Sequence, residues 1–392
     1  MSPHTPELHQ IVRIPVIVSF VETAAFTETY GFTGSQGRVF LEGQQILPEN
    51  LPSDTVFVFM HPASTLNLMP LPVALAEAGH HVLCCGSRYA KNDTALIMEK
   101  VAVDLGAYIR HARDVLGYSK VVLCGWSGGG SLAMFYQSQA ENPTITHTPA
   151  GDPYDLARAD LPVANAALFV AAHIGRAHIL SEWIDPSVID EDEPENRDTA
   201  FDLYAVNGPK PPFSDEFIAQ FRARQQARSN KITATVQAHL ERLKSSKGNG
   251  QERPFIVHRT MADPRFLDAS LEPNDRQADW CYLGLPETVN TGPVGLARFS
   301  TLRAWMSQWS LDHSRADAEA CVVNISCPLL VIENTADDCV PVAHLERVFN
   351  AAGSTDKQYC RIDKATHYYR EQPEQQNQVV ALITHWTQQK VT

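Results

Sequence analysis

Short runs of apolar residues along the chain are separated by stretches in which apolar residues recur at helical spacing. Continuous apolar runs of this length are typical of strands buried in a parallel sheet, and the stretches between them are typical of covering helices. The predicted strands lie at 11–20, 37–46, 55–62, 80–89, 120–125, 164–173, 327–338 and 357–363. We therefore expect an α/β fold with a mostly parallel central sheet covered by helices.

Capping and turn residues bound the predicted helices. A short helix at 71–78 ends at Gly79, and a longer one begins at an Asp93 cap and stops at Gly117. A third helix, at 131–141, follows the strand at 120–125 after only a few residues. Ser127 is therefore predicted to lie between the end of a strand and the start of a helix.

The strand alternation breaks after residue 173 and resumes near residue 322. The intervening segment contains an acidic stretch at 190–196, a proline-rich stretch at 208–214, a long polar helix at 214–246 and a flexible stretch at 245–254. We interpret it as an inserted, mainly helical cap at 174–309, between a first core part at 1–173 and a second at 310–392. Its aromatic residues either line an apolar pocket over the site or form the cap's own core; they include Trp183, Tyr204, Phe213, Trp280, Tyr282 and Trp305.

The overall composition excludes several classes of protein. The chain carries 32 Lys and Arg against 45 Asp and Glu, a net charge of −13, with no basic run or stripe. The electrostatic field of a net negative charge repels phosphate backbones, so we expect no nucleic-acid partner. The first residues lack the features of a secretory signal, and no apolar stretch reaches the ~20 residues of a membrane span. We expect a soluble, cytoplasmic protein that acts on a small molecule, with self-association into a homo-oligomer left open.

The eight cysteines form no C-x-x-C pair and no metal-finger spacing with histidine. Cys84 and Cys85, in an apolar run, are expected to be buried free thiols. The sequence also lacks a glycine-rich phosphate loop with lysine, a dinucleotide fingerprint and a helical His-x-x-x-His pair. It therefore predicts neither a metal nor a cofactor.

The motif Gly-Trp-Ser-Gly-Gly at 125–129 points to nucleophilic chemistry at Ser127. A strand that turns within one or two residues into a helix forces a strained backbone at the serine and leaves no room for β-carbons beside it. Gly125 and Gly129 relieve that crowding. The N-terminus of the following helix presents its amides and positive dipole end to negative charge that forms beside the serine oxygen.

With this motif the sequence resembles the α/β-hydrolase superfamily, in which the nucleophile is followed by an acid after a later strand and a histidine after the last strand. The family's usual spacing puts the acid four residues before a proline that opens a helix. Pro341 fills that position, so the resemblance implies Asp337 as the acid. Asp338 is the nearest competitor, with a helix cap as its other role, and Glu333 is a more distant one.

Three histidines follow the acid segment, and they differ in their surroundings. His344 and His385 lie within predicted helices, where packing or surface roles are expected. His367 alone stands in a loop directly after a strand, which matches the family's terminal base. The resemblance thus implies that His367 takes the proton of Ser127 and later delivers it to the leaving group, while Asp337 fixes its tautomer.

The tetrahedral intermediate of such a reaction carries an oxyanion, which needs hydrogen-bond donors. The first expected donor is the backbone N–H of Gly128. The second comes, in the family, from a loop after an early strand, here His-Pro-Ala-Ser at 61–64 with proline in place of the usual glycine. Ala63 is the expected donor and Ser64 the alternative. His61 is expected to brace this loop rather than to take part in the chemistry, and His61 and Ser64 are also possible residues of the substrate pocket.

These residues together predict a serine hydrolase that cleaves a carboxylic ester, thioester or lactone through an acyl-serine intermediate. Trp126 is expected either to form a wall of the substrate pocket or to pack in the core. Hydrolysis of a carbon–carbon bond next to a ketone, and acyl transfer, remain alternatives because related triads carry out both. A non-catalytic ligand receptor is disfavoured, since binding alone has no need of all three triad residues.

Overall fold

The computed structural model describes residues 8–22, 37–245 and 252–391 of the chain. The strands are β1 (Ile11–Val21), β2 (Arg38–Pro48), β3 (Thr55–His61), β4 (His81–Gly86), β5 (Lys120–Ser127), β6 (Ala166–Ala172), β7 (Pro254–Ile256), β8 (Phe299–Thr301), β9 (Leu329–Asn334) and β10 (Lys357–Ile362). The α-helices are α1 (Pro70–Glu77), α2 (Met98–Asp114), α3 (Gly128–Glu141), α4 (Arg176–Trp183), α5 (Asp215–Ser245), α6 (Pro286–Thr291), α7 (Leu302–Ala304), α8 (Ala318–Val322), α9 (Val342–Ala351) and α10 (Pro373–Lys390). A turn of 3₁₀ helix lies at Pro264–Phe266, and α7 continues as a π-helix at Trp305–Trp309.

Eight of these strands form one sheet in the order β1-β2-β4-β3-β5-β6-β9-β10. β2 runs antiparallel to both β1 and β4, whereas every pairing from β4 to β10 is parallel. The mostly parallel sheet predicted from the sequence is therefore confirmed. Because neighbouring parallel strands end at the same edge, the loops after β3, β5, β6, β9 and β10 meet there.

Both faces of the sheet are covered, which explains why its central strands are apolar throughout. In β3, Val56 and Val58 contribute to the core under α2 and α3, whereas Phe57 and Phe59 contribute to the core under α1 and α10. β6 is buried at every position. Side chains that alternate between two cores leave no solvent-facing side for polar residues.

The segment between β6 and β9 contains more helix than strand, but most of its described residues lie in loops and turns. Of its described residues, none joins the eight-stranded sheet, and its only two-stranded ribbon pairs β7 with β8. The long polar helix expected at 214–246 is α5. Residues 246–251 of the stretch expected to be flexible lie outside the described residues. The boundaries at 173 and 309 stay predictions.

One expected helix start is wrong. The helix predicted to begin at an Asp93 cap begins at Met98, where the backbone N–H donates to the hydroxyl oxygen of Ser307 at 2.8 Å. Asp93 is instead paired with Arg176. The cap of α2 thus comes from the inserted segment, more than two hundred positions away, which is information that local sequence does not carry.

Among the helices of the described ranges, none combines the length and the hydropathy that a transmembrane segment requires.

The second residue of α2, Glu99, is a fully buried carboxyl group. One of its oxygens accepts a hydrogen bond from the Ser307 hydroxyl at 2.9 Å, and the other has no hydrogen-bond partner in the described structure. Burial raises the pKa of Glu99 to about 7, against smaller lowering effects of its own backbone N–H, Ser307 and Arg315. The group is therefore protonated in the folded state at pH values where it is ionised in the unfolded chain.

Replacing Glu99 by glutamine is expected to remove a pH-dependent loss of stability. Folding raises the pKa of Glu99. Its contribution to the free energy of unfolding is therefore fully present below about pH 4.5 and is lost as the pH rises to about 7. A shift of this size corresponds to ~3 kcal/mol. Urea unfolding at pH 5 and pH 8 should show a smaller difference between the two pH values in Glu99→Gln than in the wild type. Glu241→Gln, at an exposed position on α5, is the control. Equal differences in Glu99→Gln and the wild type would contradict this account.

Candidate active site

Ser127 is the last residue of β5 and immediately precedes α3. Its backbone has φ 54° and ψ −129°, a conformation that non-glycine residues rarely adopt. The pairing of β5 with β6 also shifts register between Trp126 and Ser127. The chain therefore turns from strand to helix at this single residue, as the motif predicts, and holds the serine side chain at the edge of the sheet.

The glycines around Ser127 are required by close packing. A β-carbon on Gly125 would lie 2.6 Å from the Cα of Gly130, and one on Gly129 would lie 2.5 Å from the carbonyl oxygen of Met60. Both distances are shorter than real β-carbon contacts. Glycine at these positions allows α3 to start against β3 and β5 without displacing the serine.

The three predicted catalytic residues lie in one hydrogen-bonded series. The Nε2 atom of His367 is 3.1 Å from the Oγ atom of Ser127, and its Nδ1 atom is 3.0 Å from the Oδ2 atom of Asp337. Ser127 ends β5, Asp337 follows β9 and His367 follows β10, so the parallel sheet brings them to one edge. Their side chains are 8% or less exposed.

Asp337 is held in position by its own turn. Its Oδ1 atom accepts hydrogen bonds from the backbone N–H groups of Cys339 and Val340, both at 2.8 Å, which leaves Oδ2 directed at His367. The competitor Asp338 makes no contact of this kind with the imidazole, and burial raises its pKa to about 6. Its carbonyl oxygen instead accepts a hydrogen bond from the backbone N–H of Tyr282 at 3.1 Å, which ties the inserted segment to the core.

Aromatic rings surround the imidazole of His367. The Trp126 ring lies 4.5 Å from it, the Tyr368 ring 5.0 Å and the Tyr282 ring 6.0 Å, measured between centroids. Trp126 also donates a hydrogen bond from its indole nitrogen to the carbonyl oxygen of His367 at 3.3 Å. Trp126 therefore both packs in the core and forms one side of the site. Tyr368 has no counterpart among the sequence-based expectations.

Two of the six aromatic residues named in the sequence analysis of the insertion lie at or next to the site. Tyr282 contacts His367, and Trp183 packs against Tyr282 with centroids 5.8 Å apart. Of the other four, Trp280 is partly exposed and the remainder pack in clusters within the insertion: Tyr204, Phe213 and Trp305. The insertion thus covers His367 mainly through Tyr282.

The loop at 61–64 is tied down at several points beside this site. Both the Ala63 and the Ser64 backbone N–H groups donate to the Nδ1 atom of His61, at 3.1 and 3.0 Å. The carbonyl oxygen of Pro62 accepts from the Ser87 hydroxyl at 2.6 Å. His61 braces the loop in this way. The role of the Ala63 or the Ser64 amide as an oxyanion donor stays a prediction, because both N–H groups point at the imidazole of His61.

His61 shares its surroundings with a buried cation that the sequence did not single out. Arg176, at the start of α4, pairs with Asp93 and lies over the Trp309 ring at 4.4 Å. Burial, together with the charges of Arg176 and His367, lowers the pKa of His61 to about 3. His61 is therefore neutral at physiological pH. No local pattern marks Arg176, because it reaches this region from the insertion.

In the described ranges no group of three or more His, Cys, Asp or Glu side chains could hold a metal ion. The eight cysteines are free, and Cys84 and Cys85 are buried as expected.

No family model matches the chain, and no curated protein matches it. Solved structures do resemble it. An esterase domain from a Rhodothermus marinus protein is 14% identical, with 98% of this chain and 100% of that chain covered at a TM-score of 0.45. A structure of DcsB with its substrate analogue is 13% identical, with 90% and 95% covered at 0.47. A monoacylglycerol lipase from Paleococcus ferrophilus is 15% identical, with 88% and 97% covered at 0.44.

Proposed function

From the α/β-hydrolase fold of this chain, we propose that the protein is a serine hydrolase that cleaves a carboxylic ester, thioester or lactone of a small organic molecule. The observation that supports this proposal is the hydrogen-bonded series of Ser127, His367 and Asp337. A nucleophile within reach of a base, and the base within reach of an orienting acid, is the arrangement that activates a serine hydroxyl.

The reaction proceeds in two halves through an acyl-serine. The Oγ atom of Ser127 attacks the acyl carbonyl carbon while the Nε2 atom of His367 accepts the hydroxyl proton. The imidazolium then gives this proton to the departing alcohol or thiol. In the second half, His367 takes a proton from water, which attacks the acyl-serine and releases the acid and free Ser127. The Asp337 carboxylate holds the Nδ1–H of His367 and stabilises the imidazolium in both halves.

Negative charge on the carbonyl oxygen is stabilised at the start of α3. The first amides of a helix have no partner within the helix, and the Gly128 N–H follows the nucleophile directly. The positive end of the helix dipole lies at the same place. In a buried site such donors act more strongly than in water, because the surroundings screen charge less.

The insertion acts in this proposal as a lid. Ser127 is only 8% exposed, and Tyr282 lies against His367 while its backbone is bonded to Asp338. In this proposal the segment around Tyr282 moves to admit the substrate to Ser127. Such a lid excludes water from the closed site and contributes apolar surface to the pocket.

Covalent labelling with a fluorophosphonate tests the proposal before any substrate is known. An activated serine displaces fluoride and keeps the phosphonyl group, so mass spectrometry of peptides should find the adduct on Ser127. Ser127→Ala should give no adduct, whereas Ser138→Ala, which changes a buried serine further along α3, should label like the wild type. A wild-type protein that is unlabelled, or labelled at another serine, would refute the proposed function.

A further inference from the structure

Two amides of the loop at 61–64 already have a hydrogen-bond acceptor within the loop. Both the Ala63 and Ser64 N–H groups are used on the Nδ1 atom of His61. The loop is also anchored through its carbonyl groups, since Ala63 accepts from the Lys91 backbone at 2.7 Å and Pro62 from Ser87. With the loop held in this way, the second donor has to come from another group.

The two amides also determine where His61 carries its proton. A nitrogen that accepts hydrogen bonds presents a lone pair, so Nδ1 is unprotonated. The ring is neutral, because burial and the nearby Arg176 and His367 lower the pKa of His61 to about 3. A neutral imidazole carries one proton, which therefore sits on Nε2. The bracing of the loop thus leaves an N–H donor on the opposite side of the ring.

The Nε2 atom lies directly beside Gly128. A β-carbon built on Gly128 would meet Nε2 at 2.6 Å, with no atom of any other residue nearer. The Cα of Gly128 is one covalent bond from the amide nitrogen expected to be the first oxyanion donor. Within the described ranges Nε2 makes no hydrogen bond. The His61 residue is only partly buried. The Nε2 atom of His61 therefore lies against the backbone of Gly128, the residue directly after Ser127.

We propose that the Nε2–H group of His61 is the second hydrogen-bond donor to the oxyanion, together with the Gly128 amide. This inference rests on the proposed serine hydrolase function and names a further catalytic residue for it. His61 transfers no proton in this role. It donates one hydrogen bond, which strengthens as charge develops on the carbonyl oxygen and weakens when the carbonyl re-forms.

The position also explains the glycine that follows the nucleophile. Any side chain at Gly128 would meet the His61 ring, as the 2.6 Å distance indicates. The ring fills the space that a side chain would otherwise take. Gly128 is thus required by the placement of His61 as well as by the turn.

Two substitutions at His61 separate the donor role from the bracing role. His61→Asn keeps an oxygen near the place of Nδ1, which can accept from the Ala63 and Ser64 amides, but has no group that reaches the place of Nε2. His61→Gln reaches that place with an amide N–H but has no acceptor near Nδ1. If Nε2–H is the donor, His61→Asn should lower kcat for 4-nitrophenyl acetate by about 10²- to 10³-fold, with a much smaller change in KM. His61→Gln should retain at least about tenfold more of kcat than His61→Asn.

Either of two results would overturn the inference. A lower kcat for His61→Gln than for His61→Asn would mean that bracing is the only role of His61. Near wild-type kcat in both variants would mean that a backbone amide supplies the second donor. Thermal unfolding of each variant checks that the fold is intact.

A measurement on the wild-type protein covers the case in which the variants do not fold. Nitrogen-15 NMR of labelled histidine at pH 7 should show His61 protonated on Nε2 only. Fluorophosphonate modification of Ser127 should move that proton signal downfield. A proton on Nδ1, or no change on modification, would contradict the inference. Failure of the wild-type protein to label at Ser127 would instead refute the proposed function itself, so the two failures are distinguishable.

Discussion

Replacing Ser127 by alanine is expected to lower kcat for 4-nitrophenyl acetate by about 10⁶-fold. The side-chain oxygen is the atom that would form the acyl bond, and His367 cannot replace it as a nucleophile at the same position. The backbone conformation at 127, with φ 54°, is unfavourable for serine and alanine alike, so the fold should not change. Steady-state kinetics of the two proteins, with unfolding curves beside them, measures the effect.

The control for this loss is Ser138→Ala, which removes a buried hydroxyl from the same helix. It is expected to keep kcat close to the wild-type value. Activity that persists in Ser127→Ala would place the reaction at another residue and would exclude an acyl-enzyme at Ser127. A similar loss in both variants would indicate damage to α3 instead of removal of a nucleophile.

Replacing Asp337 by asparagine is expected to lower kcat by about 10⁴-fold. The Oδ2 atom accepts from the Nδ1–H of His367, and the Oδ1 atom accepts two backbone hydrogen bonds, from Cys339 and Val340. Those two bonds keep an asparagine oxygen where Oδ1 is, so the amide NH₂ faces His367. The imidazole of His367 then accepts this N–H at Nδ1 and carries its own proton on Nε2. A protonated Nε2 cannot accept the proton of Ser127.

Asp338→Asn is the matched control, because this acid is the sequence neighbour and the competing candidate. Its Oδ1 atom is buried without a hydrogen-bond partner in the described part of the chain. We expect kcat to change by less than about threefold, since asparagine keeps an oxygen at this position and the imidazole is bonded to Asp337. If Asp338→Asn instead caused the large loss and Asp337→Asn did not, the acid would have been assigned to the wrong carboxylate.

The parts of the fold that follow from local sequence were predicted well. Continuous apolar runs mark the strands because both faces of the sheet are covered, and Gly125 and Gly129 mark the sharp turn because no β-carbon fits there. The placement of Ser127, Asp337 and His367 at one edge follows from their positions after parallel strands. Their catalytic roles stay predictions, and the two substitutions above address those of Ser127 and Asp337.

Contacts between distant parts of the chain could not be predicted in the same way. Ser307 caps α2 in place of Asp93, and Arg176 enters the site region from the insertion. The hydrogen bonds from Ala63 and Ser64 to His61 are local, yet no pattern of residue types indicates which way a loop amide points. These features depend on how the insertion and the loops pack, which a single sequence does not encode in short motifs.

The separation of the catalytic residues along the chain has a consequence for biosynthesis. Ser127 and His367 are 240 positions apart, and β6 obtains its partner β9 only after residues 173–328 have been made. At ordinary rates of translation this interval lasts on the order of ten seconds or more. During that time the wholly apolar β6 is an open sheet edge, which is the kind of surface on which nascent chains aggregate. If the proposed roles are right, Ser127 also lacks His367 as its base until the loop after the last strand, β10, has been made.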